Sequence, residues 1–400
     1  MQLDKSNWQT VKLGDVVTKR EEVDRNNAKS NFDSFVKVEH FDAESLHIKR
    51  WASQETSELP PTFYKVFRKG QILFPTRNPH LKRTALAHFD GICGEKTLTI
   101  EANAESILPE FLPFLFHSDA FYAHATSSIV GSTNPHVRWR DVAKYEFLLP
   151  PINTQSELSQ LLWCGDKSIE ASIKTREALS ELLDTQIETE IHGVDLTGKT
   201  IEQVLEALSK TVRVLKLKEL GTVFKGRGIP KAEVLQEGIP CVRYGELYTK
   251  HHRIIREFSS FISEKSATKA VQIQKNDVLL AGSGETISEI GKSASLIHEE
   301  IAYAGSDILI FRPHDIDGAY LGYLMNSQLV RQQLNKLGTG ATVMHIYASD
   351  VEKIKAPQWD KAKQKEIAER LESIAQEIFA MNEKIEKAKA LQKTIINQVF

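Results

Sequence analysis

The sequence predicts an α+β chain laid out twice: two mixed α/β domains, separated by two long antiparallel coiled-coil helices, in a pseudo-two-fold internal repeat. Three observations predict it. Phe111–Asp141 (FLPFLFHSD…GSTNPHVRWRD) is echoed by Tyr320–Asp350 (YLGYLMNSQ…GATVMHIYASD), and a constant offset pairs Leu112 with Leu321, Ser118 with Ser327, Gly131 with Gly340, Thr133 with Thr342, His136 with His345 and Asp141 with Asp350. Each copy follows short runs rich in Val, Ile and Phe, bounded by Gly, Asn, Pro and Asp, which is a strand signature. Each copy then leads into a long polar stretch carrying an apolar stripe at helical spacing. The period far exceeds the roughly 20–50 residues of a solenoid unit, so the repeated object is a whole domain with its connector.

The first domain, 1–151, opens with Val11-Lys12-Leu13-Gly14-Asp15, matched by Leu215-Lys216-Leu217-Lys218-Glu219 in the second, 212–357. Strands are expected at SFVKVE (34–39), KGQILF (69–74) and KTLTI (96–100), with counterparts IPCVRY (239–244), KNDVLL (275–280) and DILIF (307–311). Helical patterns at 109–125 and 318–336 and a Gly/Ser/Thr loop complete each domain. The connector 152–193 is a spacer helix with a seam of Leu158, Leu162, Ile169, Leu179, Leu183 and Ile187, interrupted at Gly165, Ser172 and Arg176. Residues 194–211 form a linker with a short helical pattern from Ile201 to Leu208. In the C-terminal helix, 358–400, Ile367, Leu371, Ile374, Ile378, Met381 and Ile385 alternate at four- and three-residue spacing, and Ala388, Leu391 and Ile395 are expected to continue the stripe. That is a heptad seam flanked by Glu and Lys. Neither stripe can bury itself alone, so the two helices are expected to pack on each other.

Composition narrows the function. At 41% hydrophobic and 26% charged, the chain has no apolar run near the ~20 residues that span a bilayer, so no membrane segment is expected. The polar N-terminus, MQLDKSNWQT, predicts no secretory signal. Cys93, Cys164 and Cys241 are widely separated and form no CxxC, which fits a reducing cytoplasm. A net charge of −2 gives no global attraction for nucleic acid, yet the charge is clustered. Between Leu59 and Phe89 stand Lys65, Arg68, Lys69, Arg77, Lys82 and Arg83 with no acidic residue, and 120–140 and 318–349 are acid-free as well. Acid-free windows at matched repeat positions point to an anionic ligand.

Catalytic equipment is missing from the sequence. Gly284 to Ser293 (GETISEIGKS) resembles a phosphate loop but places six residues between its glycines where the motif needs four; it reads as a turn between strands. Asn78-Pro79-His80 and Asn134-Pro135-His136 lack the second Pro and aromatic residue of an adenine-methylating loop and read as turns. No His or Cys set has metal spacing, and His251-His252 reads as a solvated pair. What remains is polar loop chemistry in matched places. In the first domain it comprises Arg77, Asn78, His80, Lys82 and Arg83, then Ser132, Thr133, Asn134, His136, Arg138 and Arg140. In the second it comprises Arg243, Tyr244, Ser283, Thr286, Thr339, Thr342, His345 and Tyr347. Arg suits guanine, Asn suits adenine, Ser and Thr adapt to either, and Lys holds phosphates. Loops that differ on a shared frame are what a reader of two different short sequences requires.

The whole pattern resembles the specificity subunit of type I restriction–modification systems. The resemblance covers essentially the entire chain and rests on the repeated domain-then-helix layout. It also rests on ILFPTRNPHLKRTALAHFDGIC (72–93), IPCVRYGELYTKHHRI (239–254), LLPPINTQSEL (148–158) and its echo APQWDKAKQKEI (356–367). It implies two target-recognition domains, each binding half of a split site in double-stranded DNA, with the helices fixing the spacer. It implies two modification (methyltransferase) subunits, and restriction/translocase subunits joining that core. It implies no catalysis and no cofactor in this chain, with S-adenosylmethionine and ATP/Mg on the partners. The alternative is a stand-alone pseudo-dimeric DNA-binding protein without methyltransferase partners.

Overall fold

The computed structural model describes residues 3–193, 198–284, 286, 289–338 and 344–400. They fall into two units, Met1–Ile173 with Glu383–Phe400, and Lys174–Asn382.

In the first unit, the strands Gln9–Lys12 and Glu146–Leu149 pair antiparallel and bring the two ends of the domain together. One sheet has the order Val17–Arg20, Thr97–Ala102, Ile72–Pro75, Ala85–Leu86; a second has the order Ala52–Ser53, Ser34–Val36, Gly91–Gly94, Phe63–Phe67. Within the second, Ser34–Val36 runs parallel to Gly91–Gly94, with Phe35 opposite Ile92. Ile72–Pro75 is buried along its whole length, which is why it reads as a continuous apolar run instead of an alternation. Phe74 packs edge-on to Phe121, which meets Phe116 in the same way. The helix Asp119–Ser127 starts where it does because the Ser118 hydroxyl accepts a hydrogen bond from Phe121 N at 3.2 Å, satisfying a first-turn donor.

The second unit repeats this topology. Arg213–Lys216 pairs with Lys355–Gln358. One sheet has the order Gly221–Lys225, Ile308–Pro313, Val278–Ala281, Ser293–Leu296, Arg253–Ile255; the other has the order Ser260–Ile262, Ile239–Val242, Ala302–Ala304, Val271–Ile273. Again one pair is parallel, with Cys241 opposite Tyr303. The fifth strand, Arg253–Ile255, runs parallel to Ser293–Leu296. The first unit keeps only a trace of it, a single parallel bridge between His47 and Leu86.

Two long helices, Ile152–His192 and Lys361–Val399, follow the two domains. The first runs unbroken through Gly165, where an added Cβ would meet nothing within 4 Å. The helix is therefore continuous while the apolar stripe lacks a side chain at this position, which the spacing Leu158, Leu162, Gly165, Ile169 places on the seam. In the first unit Leu158 clusters with Val399, and Leu162 with Ile396. In the second, Trp359 Nε1 donates to Ile191 O at 2.9 Å, Arg370 pairs with Glu190 at 2.9 Å, and Leu183 and Ile187 pack with Ile367 and Leu371. In each unit one helix number rises as the other falls, so the helices run antiparallel.

The seam carries Ile169, Ile385, Leu158, Leu162, Leu183 and Ile187 as buried residues, while Ile374, Ile378, Met381 and Leu179 are half-buried. Leu391 departs from expectation, at 62% exposed. Counting the heptad on from Ile385 gives Ala388, Gln392, Ile395 and Val399, so Leu391 falls one residue short of the seam. The adjacent histidines also differ from the solvated pair expected: His251 is buried and only His252 is exposed.

Candidate nucleic-acid interface

The central strand of each unit runs into a loop that pairs with the segment carrying the repeated histidine. In the first unit, Thr76 N donates to Lys96 O at 2.8 Å and Val137 N donates to Thr76 O at 3.0 Å. The next residue, Arg77, forms an antiparallel bridge with His136. In the second unit, Gly282 N donates to Asp307 O at 2.8 Å, Ile346 N donates to Gly282 O at 3.1 Å, and Ser283 pairs antiparallel with His345. One backbone frame thus presents arginine in one unit and serine in the other.

The side chains are tied differently as well. His136 Nδ1 lies 2.9 Å from Asn134 O, so that nitrogen carries a hydrogen and donates. His345 Nδ1 lies 2.9 Å from the Ser283 hydroxyl. The first frame depends on unusual backbone. Gly131 has φ +86°, and a Cβ there would come within 3.2 Å of Asn134 O, so the turn calls for glycine. Asn78 adopts φ 51°, the left-handed region that asparagine tolerates better than most residues.

The structure brings 77–78 and 130–137 together and leaves Arg77, His80, Ser132, Thr133, Asn134, Arg138 and Arg140 exposed. Arg138 and Arg140 flank the start of the short helix Trp139–Val142, and Arg140 pairs loosely with Asp141, at 3.7 Å. Lys82 stands apart from this group. Its ammonium lies 2.6 Å from Asp119 and 3.1 Å from Glu44, and the bond to Asp119 above all pushes its pKa up. Arg83 beside it is half-buried.

In the second unit, Ser283 and His345 meet, Tyr347 is 61% exposed, and Thr286 is exposed. Thr339 and Thr342 lie outside the described residues. Arg243 and Tyr244 close the strand Ile239–Val242, so their structural counterparts are Lys37 and Val38, not the Arg77 loop.

Sequence reasoning missed a second matched feature. At the equivalent strand ends, each unit has an open depression. That of about 200 Å³ in the first unit is lined by Val38, Arg77 and Lys96 among others. That of about 290 Å³ in the second is lined by Lys231, Arg243, Tyr244 and Ser306 among others. The glycines at their edges, Gly94 and Gly305, are the one sequence signal that could have marked them.

These loops supply guanidinium forks, amides, hydroxyls and imidazoles, which can read base edges and hold phosphates. Burial pushes the Cys93 and Cys241 thiols up to about 12, so neither is a thiolate nucleophile. Among the described residues no group of His, Cys, Asp and Glu could hold a metal ion, and no helix is long and apolar enough to cross a membrane.

Comparison with known proteins agrees with this duplicated architecture. A curated relative, the type I restriction enzyme MjaVIII specificity subunit of Methanocaldococcus jannaschii, is 25% identical over 283 residues, covering 68% of this chain and 65% of the relative. The match thus spans just under two thirds of that relative's length. The solved S subunit of a type I restriction–modification system from M. genitalium has the same fold, with TM-score 0.62 and 13% identity over 100% of this chain and 98% of the other. A chain from a solved type I R-M system, studied for complex assembly and conformational transition, aligns with TM-score 0.57 and 22% identity over 98% and 97%. The family model for the type I restriction modification DNA specificity domain matches twice, at residues 5–179 and 209–390. With one domain topology built twice and one family model matching both copies, this chain belongs to the type I restriction–modification DNA specificity family.

Proposed function

We propose that each unit reads one half of a bipartite site in double-stranded DNA, and that the chain serves as the non-catalytic recognition subunit of a type I restriction–modification complex. The observation that carries this is the repeated frame with exchanged side chains: Arg77 against His136 in one unit, Ser283 against His345 in the other. A frame kept twice while its outward chemistry changes suits two different half-sites. Arg77, Asn78, His80, Asn134, His136, Arg138 and Arg140 serve the first half-site, with Ser132 and Thr133 as adaptable contacts. Arg243, Tyr244, Ser283, Thr286, His345 and Tyr347, together with Thr339 and Thr342, serve the second. Arg83 contributes positive charge near the first, while the charge of Lys82 is engaged by Asp119 and Glu44.

In this reading the long helices set the number of unspecified base pairs between the halves. Half-sites read from one face of the duplex must lie near whole helical turns, about 34–36 Å or multiples. Modification subunits using S-adenosylmethionine, and restriction subunits using ATP and Mg, supply the chemistry in the cytoplasm.

The test is Arg77→Ala in cells carrying the complete system, read by mapping methylated adenines. One lost bidentate contact is worth ~1–3 kcal/mol of base discrimination. The expected map shows one relaxed position in one half-site, with the other half and the spacer unchanged. Relaxation in both halves, or in neither, refutes the assignment.

A further inference from the structure

Each domain is fastened to the far end of the other domain's helix, and the two fastenings occupy matched positions with opposite charge. In the first unit, Lys393 near the end of the second long helix pairs with Glu44 at 2.9 Å and Asp119 at 3.5 Å. One turn further on, Asn397 Oδ1 accepts from Asp119 N and its Nδ2 donates to the Asp119 carboxylate, both at 2.8 Å. In the second unit, Asp184 near the end of the first long helix pairs with Arg253 at 2.5 Å. One turn further on, Glu188 Oε1 accepts from Gln328 N at 2.7 Å.

The helix ends and the Asp119 and Gln328 positions correspond residue by residue, while the charged domain-side partners sit on neighbouring positions of the matched segment. Lys393 follows Asp184 by 393 − 184 = 209 positions, Asn397 follows Glu188 by 397 − 188 = 209, and Gln328 follows Asp119 by 328 − 119 = 209. On the domain side the earlier strands are offset by 206, so Lys250 stands where Glu44 does (250 − 44 = 206) and Arg253 where His47 does (253 − 47 = 206). The first fastening is therefore a basic helix end on two carboxylates that also share Lys82, a surface acidic by one net charge, and the second an acidic helix end on a basic one. One partner in each fastening, Glu44 (φ 55°) and Arg253 (φ 67°), holds a left-handed conformation that non-glycine residues rarely adopt.

We propose that this inversion makes each domain's docking surface selective for the unlike half of the chain, so that it rejects a like half from a second copy. The exclusion follows from superposing the matched positions. The first helix's end on a first domain would set Asp184 against Glu44 and Asp119, and Glu188 against the Asp119 carboxylate. The second helix's end on a second domain would set Lys393 against Arg253 and Lys250. Like charges brought together at an interface discriminate against the wrong partner more strongly than exposed opposite charges stabilise the right one. A duplicated chain needs such a device, because a shared backbone frame would otherwise let two copies join domain 1 to domain 1. The inference concerns assembly and does not depend on DNA reading.

The test uses the full chain. Exchanging the helix-end charges, Asp184→Lys with Lys393→Asp, makes each end match the like domain of another copy. Sedimentation is expected to show self-association stronger than the wild-type chain by about tenfold or more, equivalent to ~1.4 kcal/mol. Adding Glu44→Lys and Arg253→Asp restores one opposite-charge pair at each fastening and moves self-association back toward the wild-type value. Self-association of the exchanged chain equal to wild type overturns the proposal. If the exchanged chain aggregates, the four-site variant decides: a shift back toward wild-type sedimentation supports the proposal, and no shift overturns it.

Discussion

Glu372 offers the sharpest energetic prediction. It lies on the second long helix and holds the domain of its own unit through two partners. Its Oε2 accepts from the Tyr323 hydroxyl at 2.8 Å and from Arg256 Nη2 at 3.1 Å, while Oε1 faces Arg256 Nη1. Tyr323 is 1% exposed, and the Arg256 and Glu372 side chains are 27% and 18% exposed. Glu372→Leu strands the guanidinium and the hydroxyl together. Breaking a fully buried ion pair costs about 3–5 kcal/mol; the partial access of water to Arg256 brings the expectation down to ~2–3 kcal/mol. Arg256→Met with Glu372→Leu replaces the pair by packing and should recover to within ~1 kcal/mol of wild type. The remainder is the orphaned Tyr323 hydroxyl, which Tyr323→Phe removes. The sign with pH follows from the carboxyl. Burial raises its pKa, but the bonds from Arg256 and Tyr323 outweigh that and hold it below the ordinary 4.5. The contribution is therefore present above that value and is lost as pH falls through the lower folded one. The assay is hydrogen exchange of amides in Gly318–Leu324 and Lys361–Asn382 against urea, which isolates this unit. A loss under ~0.5 kcal/mol for Glu372→Leu, or a double variant less stable than the single one, refutes the reasoning.

Three further outcomes are expected. His47 Nε2 lies 2.7 Å from the Asp166 carboxylate, a bond that raises its pKa above 6.5; the charged pair stabilises below that value and fades as pH rises through the folded one. With His47 partly exposed, Asp166→Asn should lower first-unit stability by no more than ~1 kcal/mol at pH 6, and by progressively less as pH rises through the raised folded value, and a pH-independent gap in thermal unfolding contradicts this. Leu371 is fully buried, so Leu371→Ala should cost ~2–4 kcal/mol in the same hydrogen-exchange assay. Leu391→Ala should stay within ~0.5 kcal/mol, and an equal loss at both positions would place Leu391 in the seam after all.

The layout was legible in the sequence because its signals are one-dimensional. Apolar spacing from Ile367 to Ile385 and short apolar runs such as Ile72–Phe74 declare a helix seam and a strand without reference to distant residues. The Leu391 expectation failed for the same reason: its chemistry fits the stripe, but its position does not. The pairing of Arg77 with His136 could not be read, because the strand repeats at an offset of 206 (283 − 77) and the histidine at 209 (345 − 136), so no single offset aligns both. Lys82 looked like free positive charge because its partner Glu44 lies 38 residues away, and the Lys393–Glu44 contact spans 349 residues. Charge clusters in sequence say nothing of such cancellation.

The central claim is that each unit reads its own half-site. The most direct measurement replaces residues 1–151 with the first domain of another family member and maps methylated adenines in cells carrying the complete system. The account predicts a new sequence in one half-site, with the other half and the spacer unchanged. A map altered in both halves, or unaltered, contradicts it.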